Sequence, residues 1–280
     1  MLHSLANREP DFEAAPPRNP WAVVDLIVFA VFFFAMLLAI APLAQLPVVY
    51  AIALQGLFNI TLVSFIAVWI RIVRHHSFTE YVHLFPSHRF SARSLIVLGA
   101  ASSITVLLVS AFLPSADKTP LEKLLTTRNA IVMFALFGVA VAPMLEEIIF
   151  RGFIFRVLQE IGGSRMGTAV TDALLALAVG RLTGSWKWAG LVFLTASVLW
   201  RFGPTAGAIV FSAALFAILH AGQLAGNWGG VILIFVVGCI LSVVRYRSNS
   251  IIPSFVVHTS YNSTLFLLFA VSSLIQKFGK

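Results

Sequence analysis

The chain has a single cysteine, Cys239, among 280 residues. That excludes an internal disulfide and any cysteine-rich metal site. Its place in an apolar run reads as a small buried core residue. Charge is scarce as well: Asp, Glu, Lys and Arg make up 11% of the chain, against 59% hydrophobic residues. A soluble domain carries about a quarter charged residues. The net charge of +8 does not point to nucleic acid. The basic residues lie mostly in short connections between apolar runs, where they orient helices and meet anionic lipid headgroups. No internal repeat, low-complexity tract or HExxH helix is present.

What the chain does have is long apolar runs, many reaching the roughly 20 residues needed to cross a bilayer. Only helices and closed barrels satisfy the backbone in lipid. The expected fold is therefore all-α, a polytopic transmembrane bundle of about 8–9 spans. The spans fall at about 21–46, 48–73, 94–113, 130–158, 168–183, 186–200, 204–222, 228–244 and 250–273. The pair 168–183 and 186–200 is short, and Asp172, Arg181, Lys187 and Arg201 interrupt or flank it. It reads as a tilted hairpin or a partly interfacial pair.

Residues 1–20 are polar and Pro-rich and read as a disordered tail. The run after them, Trp21 to about Leu46, exceeds a signal-peptide core of roughly 7–15 residues. The closing QKFGK carries no lipidation box. Residues 21–129 carry the first three of these spans and 130–273 the other six. The loop 74–93 is basic and holds His75, His76, His83 and His88. It reads as an interfacial loop anchored by Tyr81 and Phe residues rather than as a metal site. The loop 114–129 reads as a short surface helix. About twelve of the nineteen Lys and Arg fall on the side holding the N-terminus, which favours a cytoplasmic N-terminus.

Subtraction isolates the chemistry. Of eleven acids, Asp25, Glu146, Glu147 and Asp172 lie in apolar runs; of seven histidines, His220 and His258 do. Such residues mark function by default. Asp25 and Asp172 sit near span ends, where snorkelling or a helix-dipole role accounts for them. Glu146 and Glu147, in VAPMLEEIIFRG (141–152), lie deep in a run. Adjacent helical residues point about 100° apart. Glu147 and Arg151 are i,i+4 in the favourable order for an ion pair, which leaves Glu146 without a local partner. It must be protonated, pair with another helix or face water. Phe216 and His220 are i,i+4, as are His258 and Asn262. Glu and His together can hold and deprotonate a water, and His and Asn can donate to a developing oxyanion.

The set Glu146-Glu147-x-x-x-Arg151-Gly152, Phe216-x-x-x-His220 and His258-x-x-x-Asn262 resembles the CPBP family of intramembrane proteases (CAAX-processing and bacteriocin-processing, or ABI, enzymes). RYRSNSIIPSFVVHTSYN (245–262) is similar to the family's lead-in to its last motif. The resemblance covers about 140–265, and it implies that 130–273 form a catalytic helical core with an inserted segment at about 160–203 and that 21–129 are accessory helices. It implies that Glu146 activates a water, that His220 holds that water or ligates a metal, and that His258 and Asn262 stabilise the oxyanion. It implies also that Glu147 and Arg151 shape the site and that Phe216 packs beneath His220. The family has been described both as metalloproteases and as glutamate proteases. A Glu-activated water is the reading preferred, with no cofactor assigned and a divalent metal such as zinc on Glu146, His220 and His258 left open. The implied partners are the lipid bilayer and a membrane-embedded or lipidated peptide or protein substrate, without nucleic acid. The setting is a multi-pass protein of a bacterial inner membrane. About 65 residues separate Glu147 from His220, more than the family usually has, so the inserted segment must cross the membrane an even number of times. A noncatalytic scaffold or bacteriocin-immunity-type protein, and a proton-coupled transporter, are the alternatives. The transporter reading wants a path of charges and repeated halves, whereas the chain has one cluster.

Overall fold

The computed structural model describes residues 19, 21–43, 48–113, 128–224 and 227–278. The expected disordered tail and almost all of the 114–129 loop lie outside them. Among the described residues, regular structure is entirely helical. Helix α1 spans Ala22–Ile40 and runs into a 3-10 turn, Ala41–Leu43. It is followed by α2 (Val48–Ile72), the short α3 (Phe78–Tyr81) and α4 (Ala92–Ser110). A continuous helical run, α5, then covers 128–162. After it come α6 (Arg165–Thr183), α7 (Trp186–Trp200), α8 (Pro204–Leu219), α9 (Trp228–Ser248) and α10 (Ile251–Phe278).

Local chemistry sets the boundaries. Ser91, Ser164 and Asn227 cap α4, α6 and α9 by accepting backbone N–H bonds, the role these side chains favour. Gly184, in the left-handed region, ends α6, and Pro204 opens α8. Among the described residues, six helical stretches are long and apolar enough to cross a membrane: Ala22–Leu43, Tyr50–Ile72, Ala92–Ser110, Ile131–Gly162, Trp228–Ser248 and Ile251–Val271. Pro204–Leu219 is a shorter apolar helix. The protein is an integral membrane protein. All nine expected runs are helical. The hairpin α6–α7 is not among the six: α7, with 15 residues, is only about 22 Å long against a core of about 30 Å, and α6 carries Arg165, Asp172 and Arg181.

Helices α1 and α2 pack on α5, α4 lies along α10, and α8 sits between α9 and the end of α5. The α4–α10 approach is close enough that a Cβ on Gly99 would collide with the Val257 carbonyl. Gly152 admits Val82 in the same way, at 2.8 Å from where its Cβ would stand. The main core joins Leu62, Ile66 and Ile70 of α2 to Phe153, Phe155 and Leu158 of α5. The hairpin leaves from the end of α5 and returns beside it, since a Cβ on Gly162 would lie 2.7 Å from Pro204 Cα. The hairpin thus begins and ends beside the close of α5, where α8 starts.

Several sequence expectations need correction. Asp25 does not snorkel: it is 4% exposed, accepts from Trp69 Nε1 at 2.9 Å and pairs with Arg74 at 2.5 Å. Glu160 is not a loop acid but a buried hub, paired with Arg74 at 2.6 Å and Arg156 at 3.4 Å. Asp172 is buried and accepts from Ser197 Oγ at 2.8 Å and Trp200 Nε1 at 3.0 Å. Tyr81 is not an interfacial anchor but a core residue, and His83 of the same loop is buried as well. Burial, and then Glu160, push the Tyr81 hydroxyl far up, so it stays protonated and donates to Glu160 at 3.4 Å. Cys239 is half-buried rather than buried. In each corrected acid the reason is the same. A buried carboxylate is tolerated when donors surround it, and apart from Arg156 beside Glu160 those donors lie 25 or more residues away in the chain.

Candidate active site

Helix α5 is not uniform. Residues Arg128–Leu136, Ala142–Glu147 and Phe155–Gly162 are α-helical, and Phe137–Val141 and Ile148–Ile154 are π-helical. Such π segments are frequent at functional sites, and here they flank the two glutamates. Pro143 accounts for part of the first. In the π register the carbonyl of residue 138 looks to the N–H of residue 143, which a proline lacks. The Asn262 side chain of α10 supplies the missing donor, its Nδ2 giving a 2.8 Å bond to Gly138 O.

Glu147 points into the bundle and is 0% exposed, as is Arg151. Arg151 Nη1 donates to Glu147 Oε1 at 3.2 Å, one turn away, so the expected i,i+4 pair forms. The guanidinium also donates from Nη2 to Gly238 O of α9 at 3.1 Å and lies 4.5 Å over the Phe216 ring of α8. His258 Nδ1 of α10 donates to the same Glu147 Oε1 at 2.9 Å. Three helices, α8, α9 and α10, thus close on the Glu147–Arg151 pair of α5. The carboxylate accepts, so His258 carries its proton on Nδ1 and turns Nε2 outward. There it meets Glu146, whose Oε2 is 3.7 Å away. Glu146 therefore has a partner on another helix. Its side chain is 21% exposed, which makes it the more open carboxylate of the pair.

His220 caps the C-terminus of α8 and is half-buried. Its Nδ1 donates to Phe216 O at 2.7 Å, and the two rings lie 4.4 Å apart. Phe216 meets the His258 ring edge-on at 5.7 Å and the Phe150 ring at 5.1 Å. The structure thus brings Glu146, Glu147, Arg151, Phe216 and His258 together directly, and places His220 across the Phe216 ring from His258. Asn262 lies one turn beyond His258 and is engaged with α5. Gly238, Gly138 and Phe150 also contribute, and sequence reasoning misses them. Backbone carbonyls and one more Phe in a Phe-rich chain carry no signal there.

Among the described residues, no three His, Cys, Asp or Glu side chains are grouped to hold a metal ion. Glu146, His220 and His258 as arranged do not form a three-ligand set. Of the two ring nitrogens each histidine has, Nδ1 is already spent on protein acceptors.

Residues 128–202 and 186–264 match the family described as type II CAAX prenyl endopeptidase Rce1-like. The chain carries a CPBP-family domain. This is a peptidase family, and intramembrane proteolysis of protein or peptide substrates is the activity it implies. The matched CPBP segments contain all six candidate residues from Glu146 to Asn262. No curated protein and no solved structure matches the chain.

Proposed function

We propose that residues 130–273 form the catalytic core of an intramembrane endopeptidase, with 21–129 as accessory helices. It hydrolyses a peptide bond in a membrane-associated or lipidated peptide by means of a water activated on Glu146. The observation that carries this reading is the division of labour between adjacent acids. Glu147 is fully buried and doubly engaged, whereas Glu146 is partly exposed and faces His258 Nε2 at 3.7 Å.

In this mechanism Glu146 takes a proton from the water as its oxygen attacks the scissile carbonyl carbon. The oxyanion is met by His258, when Nε2 is protonated, and by the second N–H of Asn262 Nδ2. His220 helps to hold the water through its free Nε2. The C–N bond then breaks, and the proton on Glu146 passes to the leaving amine. Glu147 and Arg151 are positioning residues: they fix the ring and tautomer of His258. No step runs through a metal. A bacterial inner-membrane setting, in keeping with the short loops, belongs to the same proposal.

The test is cleavage of a fluorogenic peptide library, including prenylated peptides, by the full chain in detergent. Glu146→Gln is expected to lower turnover by about 10²–10⁴-fold while the melting profile stays close to wild type, and a chelator is expected to leave wild-type turnover unchanged. Wild-type turnover retained in Glu146→Gln would overturn the role of Glu146. Loss to chelator would overturn the metal-free route.

A further inference from the structure

The α6–α7 hairpin is not used by the proposed reaction, yet it holds two cavities. One, of about 760 Å³, opens where α6 begins and α7 ends, and is lined by Arg165, Thr168, Ser197, Trp200 and Arg201. The other, of about 490 Å³, lies further along the hairpin between Ala173, Ala176 and Leu177 of α6 and Gly190, Phe193 and Leu194 of α7. On α7, Gly190, Phe193, Ser197 and Arg201 follow one another at helical spacings of three and four, so they share a face; Arg165, Thr168, Asp172 and Ala176 do the same on α6. Both cavities lie along the seam between α6 and α7, on either side of the Asp172–Ser197 hydrogen bond. From Arg201 to Gly190 the seam runs about 16 Å, the depth of one leaflet of a core about 30 Å thick.

The charges divide the seam. Arg165 and Arg201 are exposed, and neither guanidinium has a hydrogen-bond or ion-pair partner among the described residues. The nearby acid, Asp172, faces inward onto Ser197 and Trp200 and pairs with neither. Ser164 already caps the Gly167 N–H, so an anion at this mouth would be held by the guanidinium groups. Beyond it the lining is apolar, and a Cβ on Gly190 would meet nothing within 4 Å.

We propose that the α6–α7 seam binds an anionic phospholipid, its phosphate between Arg165 and Arg201 and one acyl chain along Ala176 and Gly190. The phosphate chemistry alone would suit a free anion, but the apolar cavity further along the seam selects the lipid. The site is independent of the peptidase reading, and its test needs no turnover.

The full chain in neutral detergent is titrated with phosphatidylglycerol or phosphatidylcholine of identical chains, and bound lipid is counted by native mass spectrometry. Wild type is expected to retain phosphatidylglycerol about tenfold more tightly, in line with two arginines at a headgroup. Arg165→Gln/Arg201→Gln should abolish that preference, and Gly190→Leu should weaken both lipids. Millimolar inorganic phosphate should not displace the lipid. Equal retention of the two lipids by wild type, or a preference untouched in the double variant, overturns the proposal. So does displacement by phosphate with Gly190→Leu silent, which would mean a free-anion site. Both arginines are exposed and Gly190 is open, and the single Arg201→Gln variant, expected to lose part of the preference, decides the matter if the double variant does not elute as one species.

Discussion

His258 Nδ1 and Arg151 Nη1 converge on one oxygen, Glu147 Oε1, from 2.9 and 3.2 Å. The shared acceptor ties α10 to α5 and leaves His258 one outward nitrogen. Removing the acceptor strands a guanidinium that is 0% exposed. Glu147→Ala is expected to destabilise the protein by about 3–5 kcal/mol, the cost of breaking a buried pair. Adding Arg151→Met should cost less than the sum of the two single changes, because the stranded charge is gone. Thermal unfolding of the four species in one detergent measures this coupling.

Asn262 and Pro143 form a second testable pair. Asn262→Ala leaves the Gly138 carbonyl without its donor, a loss of about 1–3 kcal/mol. Pro143→Ala restores a backbone N–H at the position the π register needs. The double variant should therefore recover part of the stability lost in Asn262→Ala. A double variant less stable than either single one would show that Asn262 is not compensating for the proline.

His83 predicts a pH dependence. It lies outside the spans, with Nε2 accepting from Arg156 Nη1 at 2.9 Å and Nδ1 donating to Asn249 O at 3.2 Å. Burial, then Arg245 and Arg156, lower its pKa from 6.5 to about 3. The folded state keeps the ring neutral while the unfolded chain protonates it, so unfolding takes up a proton. This contribution is fully present above pH 6.5 and is lost as the pH falls toward about 3. His83→Asn should flatten the part of the stability profile between pH 7 and 5 (about the window in which the unfolded ring titrates). Identical slopes for wild type and variant would remove His83 from the account.

Gly99 predicts a packing effect. A side chain there meets the α10 backbone at Val257 and the Ser260 Cβ. Gly99→Val should cost about 1–3 kcal/mol through overpacking, whereas Gly190→Val, where a Cβ meets nothing, should be nearly neutral. Melting temperatures of the two variants check the contrast.

Features carried by neighbours in the chain are legible in the amino-acid sequence by itself. Hydropathy marks the membrane helices, because each must satisfy its own backbone in lipid. The Glu147–Arg151 pair follows from a spacing of one helical turn, and the order of the three motifs points to the peptidase family. The partners of the remaining charges are not legible in this way. Asp25 finds Trp69 and Arg74, Asp172 finds Ser197 and Trp200, and Glu147 finds His258, 111 residues away. Helical periodicity states which residues share a face but not which helix that face meets. That choice rests on close approaches such as Gly99 against Val257 and Gly152 against Val82, which the packed bundle alone sets. It is also what turns Glu147 inward to be held and leaves Glu146 facing His258 and partly exposed.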